Sequence, residues 1–280
     1  MKLATIRTLD GGTRAVRVED DLLVDLGADD LGVLLADPAW AERAAAATGP
    51  VAEVGSAAFA PVVPRPGKIV CVGLNYRTHI LEMGRDLPAH PTLFSKYADT
   101  LVGAADGIVK PPETDALDWE CELAVVIGAP VRRARGADAE RAIAGFAVLN
   151  DVTCRDWQFR TREWLQGKNW EATTPLGPYL VTPDELPGGV RPALEISTKV
   201  DGETVQEDST ADLLFDPVAL VEYVSTMGTL RPGDVIATGT PGGVGHARRP
   251  PRYLEVGQHL TTEVSGLGRC ENPVVAGPGA

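Results

Sequence analysis

The sequence predicts an α+β fold dominated by strands, and three observations lead there. Glycine and proline are plentiful, at 30 and 22 of 280 residues, which favours many turns. Short apolar runs of strand type outnumber those of helix type. The two types also do not alternate regularly, which argues against a Rossmann fold or a TIM barrel.

Taken in order, residues 1 to about 60 hold strand-like runs ("KLATIRTL", "TRAVRVE", "DLLVDLG") and an Ala-rich helical segment, "PAWAERAAAATG". Three prolines in "PVVPRPGK", residues 61–68, read as a semi-rigid linker. The expected division is therefore a small N-terminal β-rich domain, 1–64, serving packing or dimerisation, and a main domain, 65–280. "KIVCVGLNY" reads as a strand, followed by a helical stretch, "THILEMG", closed by Gly84. "ALDWECELAVVIG" is a second strand, and "RAIAGFAVLNDVT" begins as helix and runs into a strand ending at Asp151. "ALEISTKVDGETVQE" predicts a hairpin on an Asp-Gly turn. "FDPVALVEYVSTM" predicts a helix with Asp216 at the N-cap and Pro217 at N1. "LRPGDVIATGTPGGVG" predicts a turn, a strand and a glycine-rich loop.

A formal net charge of -13 argues against a nucleic-acid partner. Cys71, Cys121, Cys154 and Cys270 form no CxxC pair, which points to reduced thiols in a cytoplasmic protein. No run of 18 or more apolar residues and no signal-peptide pattern occurs, so no membrane association is expected.

In "DWECELAVVIG" side chains alternate faces, so Glu120 and Glu122 share one face and Cys121, Leu123 and Val125 the other. At about 3.3 Å per residue the two carboxylates would stand roughly 6.6 Å apart. Their repulsion requires protonation, a basic neighbour or a bound cation, unless the face is solvated. Asp151, at the end of another apolar run, adds a third acid with no His or Cys among them. Such a set suits a hard cation: Mg²⁺ first, then Mn²⁺ or Ca²⁺.

The succession "VGLNYRTHILEMG", "LDWECELAVVIG", "GFAVLNDVTCRDWQ", "QGKNWEATTPLGPYLVT", "VDGETVQEDSTADLLFDPVALVEYVS" and "LRPGDVIATGTPGGVG" resembles the fumarylacetoacetate hydrolase family. It runs from about Lys68 to the C-terminus. The resemblance implies a mixed β-sandwich roll with flanking helices, a homodimer, and a Mg²⁺ or Mn²⁺ site on Glu120, Glu122 and Asp151. His79 and Glu82, three apart on a helical stretch, match the family's water-activating pair, imidazole as base and carboxylate as its orienter. Thr78 stands where the usual pattern has Asp. Lys168 matches an active-site lysine that would stabilise an enolate oxygen or the substrate carboxylate, although Asn169, Trp170 and Glu171 replace the usual neighbours. Arg155 and Gln158 match positions that reach substrate or brace the metal ligands, with an Arg155–Asp156 salt bridge as the plainer alternative.

The loop "TGTPGGVG", residues 238–245, lacks the Gly-Lys-Ser/Thr ending of a phosphate loop, and its Thr240 offers a hydroxyl and an N–H to a substrate carboxylate. Trp157, Trp164 and Trp170 read as packing residues, or as a rest for an apolar substrate tail.

The expected function is a metal-dependent hydrolase cleaving a C–C bond in a 1,3-dioxo acid of acylpyruvate or fumarylacetoacetate type, through a metal-bound enolate. Decarboxylation of an oxaloacetate-type acid, isomerisation of a hydroxymuconate-type diacid, or hydration of an oxo-alkenoate would use the same platform. A non-catalytic relative is the remaining alternative.

Overall fold

A computed structural model describes residues 1–279 except Met83 and Arg85; the side chain of Glu82 also lies outside the described part. Most of the mass lies in two mixed sheets packed face to face, the arrangement expected from the sequence. The larger sheet runs, edge to edge, Pro50–Glu53, Leu22–Asp25, Thr13–Glu19, Lys2–Arg7, Thr174–Val181, Ile143–Asn150, Cys121–Ile127, Val235–Ala237, Ile69–Gly73 and Thr92–Lys96. The short strand Leu101–Val102 pairs in parallel with Thr174–Val181. The smaller sheet runs Glu203–Ser209, Glu195–Val200, His259–Val264, Gly268–Ala276 and Ile108–Lys110.

The central strands are apolar because both of their faces are covered. Cys121, Leu123, Val125 and Ile127 pack with Phe146 and Val148 against Ile196, Val264 and Cys270 of the smaller sheet. Ala124 and Val126 face the other way, packing with Ala147 and Leu149 beneath the N-terminal Leu31, Leu34 and Leu35. The period-two alternation read from the sequence therefore holds, and it divides this strand between two cores.

Local signals behave as their chemistry requires. Asp216 caps the helix Pro217–Met227 by accepting from the Ala219 N–H at 2.9 Å, with Pro217 in its first turn. The Asp201-Gly202 turn places both residues at positive φ, 50° and 83°, as a tight hairpin with right-handed strand twist demands.

The N-terminal strands are continuous with the larger sheet: Lys2 and Leu3 pair with Val181 and Leu180. The proline-rich segment expected to be a linker is packed. Val62 and Val63 are buried, the Val62 N–H donates to the Leu176 carbonyl, and the Thr5 hydroxyl donates to the Val62 carbonyl. Its apolar valines explain the difference, since prolines fix backbone direction without preventing burial.

Two short strands, Leu117–Asp118 and Thr153–Cys154, pair beside the central ones. Glu120 therefore lies in a break between Asp118 and the strand starting at Cys121, and not in mid-strand as the sequence suggested. Among the described residues no helix is long and apolar enough to cross a membrane. The four cysteines are buried and unpaired.

Candidate metal centre and active-site cleft

The antiparallel pairing of Cys121–Ile127 with Ile143–Asn150 sets Cys121 opposite Asn150 and Glu122 opposite Leu149. Just beyond that ladder the Asp151 N–H donates to the Glu120 carbonyl at 2.8 Å, and Glu120 N–H donates to the Asn150 side chain at 2.9 Å. This register brings Glu120, Glu122 and Asp151 together, with one oxygen from each within 4.8 Å of the others, all three buried. Glu120 itself lies just outside regular strand geometry, between Asp118 and Cys121.

The acids are surrounded by buried cations. Lys168 Nζ donates to Glu120 Oε2 and Asp151 Oδ2, each at 2.8 Å. Arg155 Nε donates to Asp118 Oδ2 at 2.8 Å, and its Nη2 lies 2.7 Å from Glu120 Oε1. Lys96 Nζ lies 2.8 Å from Asp151 Oδ1 and donates to the Val152 carbonyl at 3.2 Å. Four buried carboxylates, Asp118, Glu120, Glu122 and Asp151, thus face three buried cations, Lys96, Arg155 and Lys168, an excess of one negative charge when all are ionised.

Protonation follows from these contacts. Burial first, then the charges of Asp151 and Glu120, push Glu122 well above the ordinary glutamate value. Burial also raises Asp151, but Lys168 and Lys96 outweigh it and its carboxyl titrates below the ordinary range. Burial would lower Lys168, yet Asp151 and Glu120 outweigh it and hold the group as ammonium.

The cluster fits a divalent cation on three grounds. Its donors are all carboxylate oxygens, the set preferred by hard cations. With all its groups ionised it carries one uncompensated negative charge. Asp151 Oδ1 is buried in an ion pair with Lys96 yet has no aligned hydrogen bond. Glu120, Glu122 and Asp151 are the residues that would hold such an ion.

The glycine-rich loop closes one side. The Gly239 N–H donates to Glu122 Oε2 at 2.8 Å, so this loop binds a carboxylate of the protein itself. Gly239 adopts φ +97°, and a Cβ there would lie 2.8 Å from the Val72 carbonyl oxygen, so glycine is required. Thr240 Oγ1 accepts from Gln206 Nε2 at 2.9 Å.

A cleft over the cluster is lined by Glu120, Lys168, Arg155, Gln158, Thr240 and His79, together with Val72, Phe94, Phe159, Trp164, Val244 and His246. Six residues expected from the sequence therefore meet in one concavity. Glu122 and Asp151 complete the floor through the carboxylate cluster. His79 is half-buried on the short helix Arg77–Glu82, whose start is tied down by Asn75. The Asn75 amide donates to the Phe215 and Thr238 carbonyls at 3.0 and 2.8 Å. The proposed His79–Glu82 pairing falls outside the described residues. The alternative Arg155–Asp156 bridge does not form: Arg155 takes Asp118 and Glu120, and Asp156 accepts from the Thr114 hydroxyl. Of the three tryptophans, Trp164 lines the cleft, while Trp157 and Trp170 pack edge-on against each other with centroids 4.9 Å apart.

Three site residues were not anticipated. Asp118 is the first acid of an Asp-x-Glu-x-Glu alternation, and that period could have flagged it. Lys96, fully buried against Asp151, ends the short strand "TLFSK" with no sequence signal that sets it apart from a surface lysine. His246 carries no signal beyond following the glycine-rich loop.

Residues 68–275 match the family described as fumarylacetoacetate (FAA) hydrolase, C-terminal. A Homo sapiens protein named oxaloacetate tautomerase, mitochondrial, is 44% identical over 237 residues, covering 84% of this chain and 75% of that one. Its Rattus norvegicus counterpart is 42% identical over 236 residues, with the same shares covered. Among solved structures, a fumarylacetoacetate hydrolase from Exiguobacterium antarcticum aligns at TM-score 0.86 and 32% identity, covering 99% of this chain and 100% of that one. A 5-carboxymethyl-2-hydroxymuconate delta-isomerase from Mycobacterium smegmatis aligns at TM-score 0.80 and 32% identity, covering 99% of each.

Proposed function

Because the chain belongs to the fumarylacetoacetate hydrolase family, we propose that it is a divalent-metal-dependent enzyme moving a proton between carbon and oxygen of a 2-oxo acid. The observation that carries this reading is Lys168. Two buried carboxylates fix it as a permanent cation in the cleft that also holds His79. An ammonium so held is suited to stabilising oxyanion charge and unsuited to accepting a proton. Imidazole is the side chain that exchanges protons near neutrality.

Mg²⁺, with Mn²⁺ as the alternative, would be held by Glu120, Glu122 and Asp151, and would polarise the 2-oxo group. His79 takes the proton from the carbon beside that group, and the electron pair moves onto the oxo oxygen. Lys168 stabilises the resulting enolate. Return of the proton to oxygen gives the enol, and the reverse path gives the keto acid. Arg155 braces Glu120, and Asp118 braces Arg155.

The names of the relatives, an oxaloacetate tautomerase and a hydroxymuconate isomerase, support proton transfer over the C–C hydrolysis first expected from the sequence. Hydrolysis of a 1,3-dioxo acid is the second reading, favoured by the likeness to a solved fumarylacetoacetate hydrolase. The homodimer implied by the family belongs to the same proposal, and light scattering tests it. The four unpaired buried thiols fit a reducing compartment, cytoplasmic or otherwise.

The test follows enol absorbance of oxaloacetate with Mg²⁺-loaded protein, alongside product analysis on acylpyruvates. Accelerated keto–enol exchange that disappears in His79→Ala is the expected result. Exchange unaffected both by metal removal and by His79→Ala rejects the reading. Cleavage of acylpyruvates without exchange moves the assignment to hydrolysis.

A further inference from the structure

His246 stands in the cleft without a role in the chemistry above. Its ring is half-buried and lines the same concavity as Glu120 and Lys168. Its backbone is fixed relative to the floor by one carboxylate: Asp118 accepts from the N–H groups of Gly245 at 2.7 Å and His246 at 3.0 Å. The same Asp118 holds Arg155, which contacts Glu120. Any displacement of this turn would therefore disturb the floor.

The side chain is fixed as well. The His246 ring lies 4.9 Å from that of Phe159, tilted by 38°. Its Nδ1 lies 2.9 Å from the Tyr253 hydroxyl. Burial first, and then the Arg155 charge, hold the imidazole below the ordinary histidine value, so at neutral pH it is uncharged with one N–H. When the Tyr253 hydroxyl donates to Nδ1, that N–H is on Nε2.

His79 is assigned to the proton transfer, and the remaining polar side chains lining the cleft each hold a protein partner. Lys168 and Arg155 are committed to floor carboxylates, Gln158 accepts from Arg155 Nη1 at 2.9 Å, and Thr240 accepts from Gln206. Val72, Phe94, Phe159, Trp164 and Val244 are apolar. A 2-oxo acid whose oxo and carboxylate oxygens occupy the floor must place its far end among these walls.

We propose that His246, held by Tyr253, is the specificity residue donating a hydrogen bond to the oxygen at the far end of the substrate, selecting 2-oxo acids with a second carboxylate or carbonyl. This rests on reading the cleft as a 2-oxo acid site. A buried site built to hydrogen-bond one oxygen discriminates strongly against the analogue lacking it.

The experiment compares oxaloacetate with 2-oxobutyrate, which lacks the second carboxylate, on Mg²⁺-loaded protein. Binding is read by calorimetry and turnover by enol absorbance, in wild type, His246→Leu, His246→Gln and Tyr253→Phe, with Tm confirming folding. The expected result is a fall of about tenfold to a hundredfold in the oxaloacetate preference of His246→Leu, the size of a hydrogen bond to a charged group. His246→Gln, which keeps an N–H donor, recovers part of it, and Tyr253→Phe loses less than His246→Leu. Equal losses for both acids, or an unchanged ratio, overturn the proposal and leave the tautomerase reading intact. If wild type turns over neither acid, that reading fails, while a selective loss of oxaloacetate binding in His246→Leu still upholds the proposal. Wild type binding both acids equally overturns it.

Discussion

On the floor of the cleft, Glu120, Glu122 and Asp151 project from or beside the two innermost antiparallel strands, each held by buried cations or a backbone N–H. On the rim, His79 and His246 ride on a six-residue helix and a three-residue 3-10 turn, both half-buried. Arg155 and Arg160 show the same contrast within a few residues. Arg155 is sealed against Asp118 and Glu120, whereas Arg160 is exposed, its guanidinium 3.4 Å from the Trp157 ring centroid. The floor is over-determined, as a rigid binding site requires. The rim rests on short elements anchored locally, the His79 helix through Asn75 and the His246 turn through Asp118.

The largest test of that contrast is Asp151→Ala. Removing the carboxylate leaves Lys96 and Lys168 buried without it, and a stability loss of about 3–5 kcal/mol is expected in denaturant unfolding. A loss under 1 kcal/mol would mean the floor is not locked as described. Glu122→Gln should fold, since it keeps the shape and removes only a charge that the apo cluster tends to neutralise. Divalent-cation affinity should fall by at least the roughly 10–100-fold typical of residues that merely support a ligand, measured by calorimetry.

A third expectation concerns pH. The folded-state value of Glu122 is raised above the ordinary 4.5, so its contribution to metal-free stability is full below that value and is lost as pH rises through the folded one. Asp151, lowered from 3.8, behaves oppositely: its contribution is present above 3.8 and is lost as pH falls through the folded value. Cation binding requires Glu122 deprotonated. Affinity should therefore rise about tenfold per pH unit below its folded-state value, with one proton released, read by calorimetry in buffers of different ionisation enthalpy. Affinity independent of pH there would remove Glu122 from the ligand set. The smallest effect belongs to the exterior. Arg160→Ala should cost about 0.5–1 kcal/mol and leave cation affinity unchanged, because an exposed cation–π contact is worth little.

Much of the floor was legible because its signals are local. Alternation put Glu122 on the side of Ala124 and Val126, and the apolar run ending in Asn150 delivered Asp151. Glu120 was singled out by strand alternation but lies in a break between two short pairings, which leaves no trace in composition. Lys96 and Asp118 were overlooked because a lone lysine or aspartate in a strand-like run is ordinarily a surface residue. Its partner Asp151 reveals Lys96 as interior, whereas for Asp118 the Asp-x-Glu-x-Glu period was a further signal that went unread.

By itself, the sequence determined the strand-rich fold class, the alternation that turns Glu122 away from Cys121 and Leu123, the Asp216 cap and the Asp201-Gly202 hairpin. All of these depend on neighbours a few residues apart. Tertiary structure decided that Lys96 meets Asp151, that Asp118 ties Arg155 to the His246 turn, and that Gly239 spends its N–H on Glu122. Those contacts depend on register between strands and loops distant in the chain. Charge pairing inside a protein is set by that register, because Coulomb attraction in a low-dielectric interior depends on separation in space and is indifferent to separation along the chain.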